Sequence, residues 1–345
     1  MSGFFTRGNS WPGGREDSIR NLGLAGAGGF ASDSGLARLQ SFRANAAVAL
    51  LARGADFFGR DGFPLAVRVA RTEPGGGPSH PHDVTEVDHF HDFRELVLVV
   101  AGKGVHRLEG ESFPVAAGSV FVVQGRQVHS FRDREGLVLV NVMYDPERMP
   151  LPEGLLRRHP GYSALFQLEP GFRSAHRFAS RLELGREDLG VAESFAENIL
   201  AEELGGAGGN EVQRLALLVE LMVFLSRRYG ESESGERRAL LRMGRLISTL
   251  EQRFAEPWTL ELLAAEANLT RPQLLRVFRQ ATGQSPVDFL ITLRIEEAKR
   301  RLRRTTANMM EIAHDCGFGD SNYFARRFRA ATGRTPTEYR RRGGG

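Results

Sequence analysis

Hydrophobic positions along this chain change period from strand-like to helical. From Leu65 to Tyr144 they come in short runs divided by glycine: LAVRVAR, ELVLVVAG, GVHRLEG, ESFPVAAG, SVFVVQG and LVLVNVMY. Runs of this length, rich in Val and Phe and bounded by turn residues, predict strands, and their regular spacing predicts a small antiparallel barrel or sandwich. Further on the period becomes helical. Residues 192–204 and 211–229 predict two helices around the GGAGGN loop, and in the second Leu215, Leu218, Val219, Met222 and Leu225 make a helical apolar stripe. Residues 36–58 carry a weaker amphipathic pattern that predicts one more helix. Residues 1–35, rich in Gly and Ser and without period, predict a disordered extension, or a start assigned too early. GGGP at 75–78 predicts a loop, and residues 160–172 (PGYSALFQLEPGF) are irregular.

The sharpest pattern lies near the C-terminus, where Ile312 to Tyr339 reads IAHDCGFGDSNYFARRFRAATGRTPTEY. Gly317 is placed to end a first helix with a positive φ, Asp320 or Ser321 to cap a second, and Gly333 to stop it. Pro336 behind Thr335 starts a third. Helix, tight turn, helix is the outline of a helix-turn-helix, whose second helix enters a DNA major groove. On a 100° wheel Phe324, Phe328 and Ala331 face a core, with the stem of Arg327 beside them. Asn322, Arg326 and Arg329 face away, flanked by Ser321. Arg and Asn are the side chains that read guanine and adenine edges bidentately, although one such helix is equally a solvated basic face.

A second copy shifts that balance. F-R-x-A-T-G-x-[ST]-P occurs at Phe278–Pro286 and again at Phe328–Pro336. In the first copy Thr270 caps, Leu274, Val277 and Phe278 turn inward, and Arg276 and Arg279 point outward with Gln273 beside them. A helix from Pro286 to about Arg304 joins the copies; at 1.5 Å per residue it is about 28 Å long. That suits two reading helices about one DNA turn, roughly 34 Å, apart. Residues 240–342 resemble the DNA-binding domain of the AraC/XylS family of bacterial transcription regulators, through the LRIEEAKRRLR run and IAxxCGFxDxNYFxRxFRxxTGxTPxxYR. The resemblance implies two helix-turn-helix units per chain. It also implies base contacts from Gln273 and Arg276 in the first unit and from Asp320, Ser321, Asn322 and Arg326 in the second. Pro272 departs from the family, which often has a longer side chain there.

Charge divides the chain in the same way. The formal net charge is +4 over 345 residues, but residues 237–345 hold 21 Lys+Arg against 11 Asp+Glu, and everything before them is net acidic. A basic third behind an acidic remainder fits one nucleic-acid-binding domain and one domain with another task. The single cysteine, Cys316, excludes an intrachain disulfide and a cysteine-built zinc site, and suits a reducing cytoplasm. No apolar run approaches the roughly 20 residues of a membrane span, so no membrane partner is expected.

Within the strand-rich part, HFHDFRELVLVVAG places His89, His91 and Glu95 ahead of Gly102, and GSVFVVQGRQVH runs from Gly118 to His129. These resemble the two motifs of the cupin barrel, H-x-H-x3-E-x6-G and G-x5-P-x-G-x2-H. The first matches in full; the second has Gln124 and Arg126 where Pro and Gly are usual. In metal-binding cupins the corresponding positions, here His89, His91, Glu95 and His129, converge on one divalent ion, and that donor set suits Zn, Fe, Mn or Ni. Sensor cupins joined to this kind of DNA-binding domain often use such residues for an effector or for packing instead, and the H-x-H-D-F-x-E-L version is similar to the L-rhamnose-responsive regulators. The four residues are therefore candidates for an effector pocket and for a metal, and no other cofactor is expected. Arg107 and Gln127 are nearby in strand order and suit a sugar's hydroxyls.

The resulting plan is multidomain α+β. An extension (1–60) precedes a cupin-like barrel (61–150), a helical sensor or dimerisation segment (151–229), a linker (230–237, with GESESGE at 230–236) and an all-α double helix-turn-helix domain (238–342). The expected function is an effector-responsive, sugar-type transcription activator. Its partners would be a double-stranded DNA operator, a small-molecule effector, RNA polymerase and a second copy of the chain. The competing reading is a metal-dependent cupin isomerase or dioxygenase with an appended DNA-binding domain. No phosphate loop, nucleophile elbow or His-Glu zinc-protease helix supports an enzyme beyond the histidine motif.

Overall fold

The structure, a computed structural model, describes residues 41–44, 47–59, 61–71, 86–171, 181–231 and 235–342. The extension expected at 1–35 and the loop at 75–78 lie outside these residues. The strands are β1 (Ser41–Ala44), β2 (Ala47–Ala52), β3 (Leu65–Arg71), β4 (His89–His91), β5 (Arg94–Leu108), β6 (Glu111–Ala116), β7 (Ser119–Val123), β8 (His129–Tyr144) and β9 (Leu182–Glu183). They form one sheet in the order β1-β2-β4-β8-β5-β7-β9, with β3 also on β8 and β6 also on β5.

The sheet is built on the antiparallel pair β5–β8. ELVLVVAG and GVHRLEG, expected as two strands, are one. Gly102 takes φ +71° there, and the register against β8 slips three times between Val99 and Val105. The glycine makes a bulge and not a turn because Val105–Leu108 continue to pair with His129–Arg132. A Cβ at residue 102 would overlap the Gly136 carbonyl, so the bend requires glycine. The bend folds the sheet over, so that Val97, Val99, Phe121 and Leu139 share one interior core with Leu108, Phe113 and Phe131. The opposite face of the same strands (Leu96, Leu98, Val120, Val122, Val140, Val142) is covered by helices. Burial on both faces explains why these strands read as unbroken apolar runs.

Residues 36–58 correct the sequence expectation. Their described part is the β1–β2 hairpin followed by one helical turn, α1 (Gly54–Phe57). Leu50–Ala52 pair in parallel with His89–His91, and an open sheet edge supplies backbone partners that a lone, weakly amphipathic helix lacks.

The later helices are α2 (Glu153–Leu156), α3 (Pro160–Tyr162), which runs into a π-helical turn at Ser163–Leu168, then α4 (Arg186–Gly205) and α5 (Asn210–Gly230). Of the stripe on α5, Leu218, Met222 and Leu225 are fully buried in the core shared with the sheet, and Leu215 and Val219 pack at its margin. Folding therefore uses most of the stripe. The expected linker is short: α5 ends at Gly230 and α6 (Gly235–Arg253) begins within it. Leu240, Met243, Leu246, Ile247 and Leu250 of α6 join the same core as Leu96, Val142 and Leu218. Ser248 Oγ donates to the Arg158 carbonyl, and Arg157 pairs with Glu251 of α6 and with Glu153.

The reader follows as α7 (Leu260–Glu266), α8 (Arg271–Thr282), α9 (Pro286–Arg304), α10 (Met309–Asp315), α11 (Ser321–Thr332) and α12 (Pro336–Arg342). The repeated motif has a complete physical account. Thr282 and Thr332 each donate back to the carbonyl of Phe278 or Phe328, 2.8 Å away. Gly283 and Gly333 both take φ +74°. Ser285 and Thr335 then accept from the amides of Asp288 and Glu338 ahead of a proline that starts the next helix. Among the described residues, no helix is long and apolar enough to cross a membrane.

At Gly244 of α6 a Cβ would overlap the Pro160 carbonyl, whereas at Gly190 of α4 it would meet nothing within 4 Å. Gly244→Ala should therefore destabilise by about 1–3 kcal/mol despite its better helix propensity. Gly190→Ala should stabilise by roughly 0.5–1 kcal/mol. Urea unfolding of the two variants beside the parent protein checks both signs.

Candidate functional site

Two groups of residues carry chemistry. The first is the outer surface of α8 and α11. Arg276 and Arg279 on α8 and Ser321, Asn322, Arg326 and Arg329 on α11 are exposed, while Leu274, Phe278, Phe324 and Phe328 are buried beneath them. The wheel and the structure agree on these faces except at Ala331, which was expected in the core and is exposed at the end of α11. Among the described residues, Arg276, Arg326 and Arg329 are in no salt bridge, whereas neighbouring Arg271, Arg301 and Arg327 pair with Glu261, Glu297 and Asp288. Arg326 lies over the Tyr323 ring at 5.7 Å.

Two expected base readers have structural duties. Gln273 completes a capping box in which its Oε1 accepts from the Thr270 amide at 3.0 Å and from the Thr270 hydroxyl at 2.9 Å. Asp320, and not Ser321, caps α11 by accepting from the Tyr323 amide at 2.6 Å. These carboxylate and amide oxygens are turned to their own backbone, which leaves the arginines, Asn322 and Ser321 as the outward donors.

The second group is a buried imidazole cluster inside the folded sheet. His89 and His91 come from β4, Glu95 from β5 and His129 from β8, where His89 and His129 are directly opposite. All four are at most 4% exposed. His91 Nε2 and His129 Nε2 stand 3.8 Å and 3.7 Å from the same oxygen of Glu95. His89 lies outside this convergent set: its Nδ1 meets the Val87 carbonyl at 2.8 Å and its ring packs 4.2 Å from that of His129. The four-residue candidate set thus narrows to three convergent donors, with His89 beside them.

The tautomers follow from the partners. The Phe93 carbonyl, 2.7 Å from His91 Nδ1, can only accept, so Nδ1 carries the hydrogen and Nε2 presents a lone pair. Burial, then the neighbouring His89, push the His91 pKa down to about 3; burial first and the other imidazoles second hold His129 well below its usual value. His91 Nε2 and His129 Nε2 are buried with no hydrogen-bond partner among the described residues. Two neutral imidazole lone pairs and a carboxylate facing one point fit a divalent transition ion. Zn–N and Zn–O bonds of about 2.0–2.2 Å at a tetrahedral angle place ligand atoms roughly 3.4 Å apart, close to the separations found. The contacts at the far nitrogens, Phe93 carbonyl to His91 and His106 to His129, are the second-shell bonds such ligands use.

His106 escaped the sequence reading. It is 1% exposed, stacked between Phe121 and Phe131, with Nε2 3.3 Å from His129 Nδ1. Strict alternation from Glu95 would turn residue 106 outward, but the bulges around Gly102 reverse the parity of β5. The same reversal places Arg107 on the opposite face, where its charge helps hold Asp88 below the usual carboxylate range, after a hydrogen bond from Ser130. Arg107 therefore does not line the imidazole cluster. Gln127 is also committed, accepting from the Gln124 amide at 2.8 Å and donating to the Pro170 carbonyl at 3.2 Å.

Depressed imidazole pKa values give acid sensitivity. Above pH 6.5 both states leave His91 neutral and its stability contribution is whole. As pH falls from 6.5 towards 3 the unfolded chain takes up a proton that the folded one refuses, and stability drops by about 1.4 kcal/mol per pH unit for each such imidazole. Urea unfolding of metal-free protein between pH 7 and 5 should show this slope, and His91→Asn should make it shallower.

Comparison with known proteins agrees with both halves. A helix-turn-helix domain family matches residues 263–342 and an AraC-like ligand binding domain family matches residues 79–205. The HTH-type transcriptional activator RhaR of Enterobacter sp. (strain 638) is 30% identical over 299 residues, covering 86% of this chain and 98% of its own. The activator RhaS of Pectobacterium carotovorum subsp. carotovorum (strain PC1) is 30% identical over 295 residues, covering 84% and 96%. Among solved structures, an AraC-type regulator from Chromobacterium violaceum matches at 27% identity with a TM-score of 0.29, covering 32% of this chain and 97% of that one. Paired helix-turn-helix units behind a sheet domain that matches the AraC-like ligand binding family, in a chain 30% identical along most of its length to transcriptional activators, make it a member of the AraC family of DNA-binding transcription regulators.

Proposed function

We propose that the chain is an effector-responsive transcription activator that reads two successive major-groove segments per chain, through Arg276 and Arg279 of α8 and Ser321, Asn322, Arg326 and Arg329 of α11. The observation that carries this reading is the pair of exposed reading faces, whose arginines are in no salt bridge among the described residues while the neighbouring Arg271 and Arg327 are paired. Gln273 and Asp320 serve in it chiefly as helix caps. The effector is a small polar molecule of sugar type that acts through the His89, His91, Glu95 and His129 cluster. The relatives' names as activators support a contact with RNA polymerase. Val191, Leu204 and Val212, exposed on α4 and α5, support pairing with a second copy, which would link two readers and raise affinity. The site of action is the cytoplasm, where bacterial operators are.

A divalent ion in the cluster would be held by His91, Glu95 and His129 and would offer a Lewis-acid point to an effector hydroxyl. The buried, convergent donors are also the one observation favouring the enzyme reading, a metal-dependent isomerase or dioxygenase. Titration of metal-free protein with Co(II) should give a d–d absorption band that His91→Ala and His129→Ala abolish; no band at stoichiometric Co(II) rejects the metal. DNA binding and effector response unaffected by a chelator would leave the enzyme reading without support. Turnover of a sugar, lost in His91→Ala, would restore it.

Footprinting on the DNA upstream of the protein's own gene, with and without sugars such as L-rhamnose and L-arabinose, tests the regulator. Protection altered by one sugar is the expected result; no specific protection on any DNA would reject it. Arg276→Ala and Arg326→Ala should each weaken binding by about 1–3 kcal/mol and relax preference at particular bases. Lys299→Ala, by contrast, should weaken all sequences alike. Uniform weakening by Arg326→Ala would remove its role as a base reader.

A further inference from the structure

The two reading units have separate cores. Leu263, Leu274, Phe278 and Leu290 belong to the large cluster that includes the sensor sheet. Ile291, Ile295, Ala298, Leu302, Ile312, Cys316, Phe324 and Phe328 form another around the second unit. Helix α9 contributes to both, so a single helix joins two bodies, and the contacts beside it decide how each body is seated on that helix. Reading two groove segments at once needs a fixed angle and distance between α8 and α11.

We propose that Arg294, in the middle of α9, is the positioning residue that sets the spacing at which the two units read DNA. Its Nε donates to the Phe254 carbonyl at 2.8 Å and its Nη2 to the Glu256 carbonyl at 2.7 Å, both in the turn between α6 and α7 of the first unit. The guanidinium lies 5.7 Å from the ring centroid of Phe318, in the turn of the second unit. One half-buried side chain therefore touches both bodies, with its fork on the first and its face towards the second. The backbones meet beside it: Gly317, at φ +80°, lies against Ala255 so closely that a Cβ would come within 2.5 Å of the Ala255 carbonyl oxygen. At the other end of α9, Asp288 pairs with Arg327 of α11 at 3.0 Å. Arg294 belongs to neither apolar core, so its removal loosens the joint, leaving the backbone approach at Gly317 and the Asp288–Arg327 pair, while the two units stay packed. Lysine cannot replace it, because an ammonium reaches as a point charge where the planar fork satisfies two carbonyls in fixed directions.

The inference rests on the two-segment reading, and one experiment separates their failures. Full-length protein selects duplexes from a random pool, and the recovered sites are then remade with one to three base pairs inserted between the two recognised segments. Wild type should recover two segments at one spacing and lose roughly tenfold or more in affinity on insertion, as a stiff link concentrates the second unit at a single separation. Arg294→Ala should bind less well at the selected spacing and lose less than about threefold on insertion. Arg294→Lys, which keeps the charge and the stem, should fall between them, and Gly317→Ala should loosen the spacing preference from the other side of the joint. Thermal melts and circular dichroism identify any variant that fails to fold, in which case the lysine variant decides. Equal weakening at every spacing with the wild-type insertion penalty intact would make Arg294 merely structural and overturn the proposal. Recovery of only one segment by wild type would overturn the two-segment reading and this inference with it.

Discussion

Between α5 and α6 lies a short helix that meets each of them backbone to backbone, and the packing of the reader on the sensor depends on it. A Cβ at Gly161 would overlap the Ser226 carbonyl of α5, and a Cβ at Gly244 of α6 would overlap the Pro160 carbonyl. The short helix Pro160–Tyr162 is therefore held between α5 and α6 with no side chain at either closest approach. Close-packed interiors move between discrete arrangements and do not deform smoothly, so a shift of this helix must carry α6 with it. The π-helical turn that follows, Ser163–Leu168, is buried in the same cluster as both the sheet and Leu274 and Phe278 of the reader. A signal from the sheet thus has a packed route to the first reading unit, where a flexible tether would have given none.

The imidazole cluster lies on the other face of that sheet. Glu95 points inward to His91 and His129, while the adjacent Arg94 faces the helices, near Tyr144 and Tyr162. Neighbouring residues on one strand thus address the two sides. Tyr144 sits opposite Arg94 in the β5–β8 ladder, and Tyr162 belongs to the short helix between α5 and α6. The same strand that holds the site therefore abuts the element that holds the reader.

What the sequence disclosed, and what it hid, sorts by how local the determining interaction is. The repeated stop and restart of the reading helices was legible to the residue: Thr282, Gly283, Ser285 and Pro286 each act within four positions of themselves, so that pattern is complete in the chain. His89, His91, Glu95 and His129 were legible as a set because the first three share a short stretch. The division of labour within it was not, since the Phe93 carbonyl decides which nitrogen of His91 faces Glu95 and the Val87 carbonyl engages His89 Nδ1. His106 was hidden by the bulge at Gly102, and the β1–β2 hairpin by its pairing with β4, a partner about 40 residues away. Gln273 and Asp320 were placed on the right face, but their oxygens serve the backbone, a choice that depends on geometry at the helix start.

The reader's excess positive charge shows the same economy of arrangement. Surface ion pairs add little stability, yet many arginines of this domain are paired: Arg253 with Glu256, Arg271 with Glu261, Arg300 and Arg301 with Glu297, Arg327 with Asp288. Their effect is to localise charge. Each pair offsets a cation that would otherwise draw phosphate, while among the described residues Arg276, Arg326 and Arg329 on α8 and α11 are in no salt bridge, as are the exposed Arg242, Arg245, Arg304 and Arg334 elsewhere in the domain. Attraction to the DNA backbone is sequence-independent and acts wherever cations are exposed, so each internal pair narrows the set of faces on which that attraction acts.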